Sequence, residues 1–301
     1  MRKFKKQILL VICLLFITVT ISSCNGGKKE ITVASKQFTE NILLSEIYSQ
    51  LIEEHTDLKV IRKQNLGGTS ICFPALEKKE IDIYVEYSGT AYNEILKLPD
   101  STGMSGEEIY NISKEKLYEE HDITMFKPIG INNTFALGML RTKAEENNIT
   151  KTSELKDISS SLRFGANHIF YTRLADGYDA MADLYELDFK EALKMDTSLL
   201  YDAIEQNKLD VIVVYATDSL LKKYDMVVLE DDKELFPPYY GAPICRNDLL
   251  EENEELVEVL DLLENRITDT RMQELDYEID VEGRTPEEVA REFIKEEGLN
   301  K

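Results

Sequence analysis

The pattern of apolar and polar positions opens with a run unlike anything later in the chain. Arg2, Lys3, Lys5 and Lys6 precede an apolar or weakly polar stretch from Ile8 to Ile21, closed by small residues and Cys24. The stretch is shorter than the roughly 20 residues a membrane-spanning helix needs, and its flanks are those of a secretory signal peptide. From Ile31 onward, short apolar runs alternate with segments of helical spacing. Ile31 to Ala34 predicts a strand, and Thr39 is placed to cap a helix carrying Leu43, Leu44, Ile47, Leu51 and Ile52 on one face. Leu58 to Ile61 predicts a second strand. The turn Asn65-Leu66-Gly67-Gly68-Thr69 then leads into a helix ending near Lys79. Ile81 to Tyr87 is a third strand, and Ser88-Gly89-Thr90 opens a further helix.

The second half repeats the alternation. Phe135 to Leu140, Leu162 to Gly165, Asp210 to Tyr215 and Met226 to Leu229 read as strands, with Thr217 or Ser219 able to cap the helix after the third. Thr285 as cap, Pro286 at the first helical position, Glu288 completing a capping box and Gly298 as the stop define a C-terminal helix. Alternation of this kind predicts βαβ units with parallel strands in an α/β protein.

Composition narrows the function classes. The length of 301 residues suggests about two domains. Lys and Arg total 35 against 57 Asp and Glu, a formal net charge of −22. Residues 1–24 hold four basic and no acidic residues, so the remainder is more acidic still. Such a surface repels phosphates, which argues against nucleic acid as a partner. Cys13 and Cys24 belong to the leading segment; Cys72 and Cys245 could form one disulfide or stay buried and unpaired. No CxxC or HxxxH spacing exists and His55, His121 and His168 are scattered, so no metal or other cofactor is expected. No GxSxG, P-loop or HExxH is present either, so a secreted enzyme is the weaker alternative.

In open α/β sheets, ligands bind outside the carboxyl ends of the strands. Those junctions carry Lys36, Tyr87, Thr90, Arg173 and Tyr215, and the stiff segment Pro237-Pro238-Tyr239-Tyr240 adds aromatic rings. A quaternary ammonium has no N–H to be selected by hydrogen bonds, whereas aromatic faces attract it by about 0.5–2 kcal/mol each. Lys and Arg match a carboxylate. Together they describe a site for a zwitterionic betaine. Taken singly, a tyrosine at a strand end more often packs its ring, a lone cation more often has an ion-pair partner, and the Gly67-Gly68 turn more often reverses the chain than cradles an anion.

Ser35-Lys36-Gln37-Phe38-Thr39-Glu40, Asn65 to Thr69, Glu86 to Tyr92, Asp210 to Asp218 and Glu230 to Lys233 leading into Pro237-Pro238-Tyr239 resemble the substrate-binding proteins of quaternary-amine ABC importers. The resemblance runs from about Ile31 to Leu299. It implies a two-lobed, hinged type II periplasmic-binding-protein fold, with mixed sheets flanked by helices. Lobe 1 would be residues 31–129 and 233–301, and lobe 2 residues 130–232. By position, Tyr87, Phe135, Tyr215 and Tyr239 match the cage, with Phe135 standing where a tyrosine is usual. Lys36, Thr90 and Arg173 match the carboxylate side. These residues favour glycine betaine or proline betaine, then carnitine, then choline, which has no carboxylate. Ile21-Ser22-Ser23-Cys24 resembles a bacterial lipobox, which implies a signal peptide over residues 1–24, a lipidated Cys24 and a tether over 25–30. The expected protein is an extracytoplasmic, membrane-anchored monomer that delivers its ligand to a separate permease.

Overall fold

The computed structural model describes residues 29–99, 103–168, 170–174 and 176–301. The expected signal peptide, Cys24 and most of the tether lie outside the described residues. The first lobe starts with β1 (Glu30–Ala34), α1 (Thr39–His55), β2 (Lys59–Lys63), α2 (Thr69–Glu77) and β3 (Ile83–Tyr87). A helical turn, Ser88–Thr90, continues as a π-helix, Ala91–Ile95, before α3 (Gly106–His121) and β4 (Ile123–Met125). The second lobe holds β5 (Phe135–Leu140), α4 (Arg141–Asn147), β6 (Arg163–Ala166) and α5 (Tyr178–Tyr185). It continues with β7 (Glu191–Lys194), α6 (Thr197–Glu205), β8 (Val211–Tyr215), α7 (Leu220–Lys223) and β9 (Met226–Leu229). The chain then returns to the first lobe as β10 (Gly241–Arg246), α8 (Asn247–Glu252), α9 (Glu255–Leu260), α10 (Asp269–Asp280) and α11 (Pro286–Glu296).

The strands form two five-stranded sheets, ordered β2-β1-β3-β10-β4 and β7-β6-β8-β5-β9. β1 runs parallel to β2 and β3, and β6 parallel to β7 and β8, as the βαβ pattern predicts. The exceptions are β10 and β5, each antiparallel to both of its neighbours. Each enters its sheet from the other lobe, so it has no crossover helix to turn it parallel. The result is two mixed sheets.

Local signals mostly act where the sequence places them. At α11 both halves of the capping box form, and Gly298 adopts φ 64° just past the helix. Thr39 differs. The cap position is Phe38, and the Thr39 hydroxyl instead donates to Asp280 Oδ1 at 2.6 Å. Ser219 holds the cap position of α7 without a side-chain cap bond, and its hydroxyl likewise goes to Asp280, at 2.7 Å. Cys72 and Cys245 are buried free thiols.

Among the described residues, no buried hydrophobic cluster draws on both sheets, so each lobe has its own core. Two chain segments cross between the lobes side by side. Asn132 bridges Tyr240 in antiparallel register, and the Thr134 hydroxyl donates to the Pro237 carbonyl at 2.8 Å. No helix of the described residues is long and apolar enough to cross a membrane.

Candidate functional site

The residues singled out in the sequence gather at the seam of the two lobes in two groups. The first lies in lobe 1, at the carboxyl ends of β1 and β3. The backbone amide of Lys36 donates to Asn41 Oδ1 at 2.7 Å, and Asn41 Nδ2 donates to the Val85 carbonyl at 2.9 Å. The first turn of α1 thereby sets the loop after β1 against β3. Lys36 is only 4% exposed, and its ammonium forms an ion pair with Glu86. Glu86 is fully satisfied, accepting also from Thr69 (3.0 Å), Tyr84 (2.9 Å) and the Tyr87 amide (2.8 Å). The hydroxyl of the Gly67-Gly68-Thr69 turn is therefore spent on an internal carboxylate.

The same ammonium lies 4.9 Å from the Tyr87 ring centroid, so one face of this ring already meets a cation. The Tyr87 hydroxyl donates to Glu40, whose Oε1 also accepts from Asn133 Nδ2 at 3.0 Å. Burial, then the Glu40 carboxylate, raises the Tyr87 hydroxyl well above the usual phenol range. Thr90 is half-buried in the turn that follows β3. Gly89 beside it is a close approach: a Cβ there would lie 2.8 Å from Tyr239 ring carbons and 3.1 Å from the Pro238 carbonyl oxygen. Only glycine lets Tyr239 settle against this turn.

The second group is mounted on lobe 2 and is joined by Tyr239 from the returning crossover. The antiparallel register pairs Phe135 directly with Tyr215. Their rings stack at 4.8 Å with an interplanar angle of 26°. Phe170 meets Phe135 edge-on at 5.7 Å, and the Arg173 guanidinium lies 5.2 Å from the Phe135 centroid. Phe135 is 7% exposed whereas Tyr215 is 39% exposed, so phenylalanine backs the stack and tyrosine presents it. Arg173 is gripped by Asp176 through two N–H bonds, one of them Nε to Oδ1 at 2.6 Å. That bond, more than any other influence, raises the already high guanidinium pKa; Tyr239 adds to it through its own hydrogen bond. Tyr239 is half-buried, and its amide donates to Asn132 Oδ1 at 2.7 Å in the crossover.

Tyr215, Phe135, Arg173 and Tyr239 are thus neighbours, and Lys36 and Tyr87 are neighbours. Three features escaped the sequence reading: the carboxylates that claim the two cations, Glu86 and Asp176; Glu40 behind Tyr87; and Phe38. The Phe38 ring is 38% exposed and 6.0 Å from Tyr87. An aromatic in the loop after β1 was the available signal for Phe38. Among the described residues, no group of three or more His, Cys, Asp or Glu could hold a metal ion. A surface concavity lined by Glu46, Arg62, Gln64 and Pro286 contains none of the residues above.

The family model described as the substrate-binding domain of ABC-type glycine betaine transport systems matches residues 29–296. The chain belongs to this family. It is a substrate-binding protein of betaine/carnitine-type ABC transporters and not an enzyme. A carnitine transport binding protein of Listeria monocytogenes is 30% identical to it, over 97% of each chain. An ergothioneine transport permease/ergothioneine binding protein of Helicobacter pylori is 32% identical over 90% of this chain, which spans about half (48%) of that longer relative. The crystal structure of a glycine betaine/carnitine/choline ABC transporter protein superposes with a TM-score of 0.86 at 30% identity, covering 91% of this chain and 99% of the other. Binding proteins of this family work outside the cytoplasmic membrane, and this one has their two-lobed fold.

Proposed function

We propose that this binding protein captures glycine betaine, or a close relative such as proline betaine, in an aromatic cage between its lobes and delivers it to a separate permease. The observation that carries this is the stacked Phe135–Tyr215 pair, which leaves the Tyr215 ring presented beside Tyr239 and Arg173. Tyr215 from lobe 2, with Tyr87 and Tyr239 from lobe 1, supplies the faces for the trimethylammonium, and Phe135 stiffens Tyr215 from behind. Arg173 binds the ligand carboxylate. Asp176 takes two of its N–H groups, and a guanidinium has five. Thr90 adds a hydroxyl from lobe 1. Lys36, committed to Glu86, contributes through its field rather than by direct contact.

A ligand that touches both groups bridges the lobes and stabilises the closed state, which shifts the population the permease recognises. The moving halves are residues 31–129 with 233–301, and residues 130–232. One chain suffices for this, so the working unit is a monomer. Anchoring is through lipid on Cys24, which becomes the first residue once the segment before it is cleaved. The likeness to the Helicobacter relative favours one further ligand, ergothioneine, itself a trimethylammonium betaine and so within reach of the same cage and clamp.

Calorimetry with the double variant Tyr87→Ala/Tyr215→Ala tests the cage. Glycine betaine binding is expected to be lost while the melting transition persists. Unchanged affinity would refute the cage.

A further inference from the structure

Glu40 stands in the first turn of α1, where the amide ends of the helix favour an anion, yet it is only 3% exposed. Its Oε1 accepts from the Tyr87 hydroxyl of lobe 1 and from Asn133 Nδ2 in the first crossover. The Thr217 side chain, from lobe 2, faces the same carboxylate. These three positions have a common geometry. Tyr87 is itself a cage ring. Asn133 lies two residues before Phe135, and Thr217 two residues after Tyr215, so they extend the antiparallel ladder on which the ring pair is mounted. That ladder continues past the pair, since the Ala216 amide donates to the Thr134 carbonyl at 2.9 Å. One carboxylate therefore holds the ring of one lobe and the base of the ring pair of the other.

We propose that Glu40 is a positioning residue for the ligand site, fixing Tyr87 relative to the Phe135–Tyr215 pair and placing a negative charge behind the cage. The inference rests on the cage reading above. Glu40 touches no ligand in this scheme; it acts through Tyr87, Asn133 and Thr217. Its second oxygen, Oε2, is buried without a hydrogen-bond partner, so its ionised form is not fully compensated. Asp269 and Asp276, both on α10, face it with like charge, and Asp218 and Asp280 face Asp276 in turn. On the far side of Tyr87 stand Lys36 and Glu86. Burial, more than these neighbours, raises the Glu40 carboxyl above its ordinary range. A cation held in the cage favours the ionised form, so by linkage ligand affinity must fall as the pH drops and Glu40 takes up a proton.

The test is calorimetric titration of the purified full-length protein with glycine betaine at pH 8 and pH 5.5, for the wild type, Glu40→Ala, Glu40→Gln, Tyr87→Phe and Tyr215→Ala. Wild-type affinity is expected to weaken several-fold at pH 5.5. Glu40→Gln should bind several-fold more weakly than wild type at pH 8 and show a clearly smaller pH dependence. Glu40→Ala and Tyr87→Phe should each lose about tenfold or more, and combining them should cost little beyond the worse single change, because both break one hydrogen bond. Glu40→Ala binding within twofold of wild type at both pH values, while Tyr215→Ala abolishes binding, would overturn the positioning role and leave the cage intact. Wild-type binding by Tyr215→Ala would overturn the cage and this inference with it. Should Glu40→Ala fail to fold, a wild-type pH dependence retained in Glu40→Gln is the overturning result.

Discussion

Arg173 owes its orientation to a partner that its position in the sequence does not reveal. Asp176, three residues on and buried, fixes the guanidinium over Phe135 and keeps it charged. A hydrogen bond to a charged group is worth about 1.5–3 kcal/mol, roughly ten- to a hundredfold in affinity. Arg173→Ala is therefore expected to weaken glycine betaine by that range while leaving tetramethylammonium, which has no carboxylate, nearly unchanged. Equal losses for the two ions, measured by calorimetry, would contradict the clamp. Lys36, Tyr87, Arg173 and Tyr215 were legible at strand junctions, Tyr239 as part of the stiff Pro237-Pro238 segment, and Phe135 only through the family resemblance. Their partners were not. Glu86 lies 50 residues from Lys36 and Glu40 lies 47 from Tyr87, and no local pattern says which carboxylate meets which ring or cation.

At the scale of elements, β1, β3, β5 and β8 could be read because each is a short apolar run bounded by turn residues. β10 could not, since Pro243 sits in its middle and a proline argues against a central strand. The carbonyl of Pro243 is nevertheless used, accepting from the Phe126 amide at 3.0 Å. α10 has a partly polar face because it lies at the seam and bonds to α1 of its own lobe as well as to the other lobe. Asn132 donates to Asp269 (2.7 Å), Gln273 donates to the Ala216 carbonyl (2.7 Å), and Asp280 receives the Thr39 and Ser219 hydroxyls.

This helix also carries a cost. Burial raises the carboxyls of Asp269 and Asp276, and that of Asp218 across the seam. The folded chain thus binds more protons than the unfolded chain at pH values above about 4, the ordinary carboxylate range. Their stabilising protonation is complete below that value and is lost as the pH rises through the raised values. Melting temperature is therefore expected to rise on acidification from pH 7 towards 5. Asp276 Oδ1 has no hydrogen-bond partner, so Asp276→Asn should stabilise the protein at pH 7 by about 1–3 kcal/mol and flatten the pH dependence. Scanning calorimetry that finds the variant less stable at pH 7 would contradict the assignment.

At the scale of the molecule, the two-lobed architecture followed from strand–helix alternation in each half, and from the resemblance of the junction motifs. The antiparallel strands did not follow from alternation, because they exist only where the chain passes from one lobe to the other. That passage also assembles the site. Tyr239 lies on the returning crossover, Asn133 on the outgoing one, and Glu40 joins the latter to Tyr87. In the proposed cage, ligand capture and lobe closure share the same residues. The most direct measurement is isothermal titration of the wild-type protein with glycine betaine, proline betaine, carnitine, choline and ergothioneine in turn; heat is the suitable signal because the chain has no tryptophan. Saturable binding of a carboxylate-bearing trimethylammonium compound or proline betaine, with choline weak or silent, is the expected result. Binding of choline alone would contradict the role given to Arg173, and heat from none of the five would contradict the cage itself.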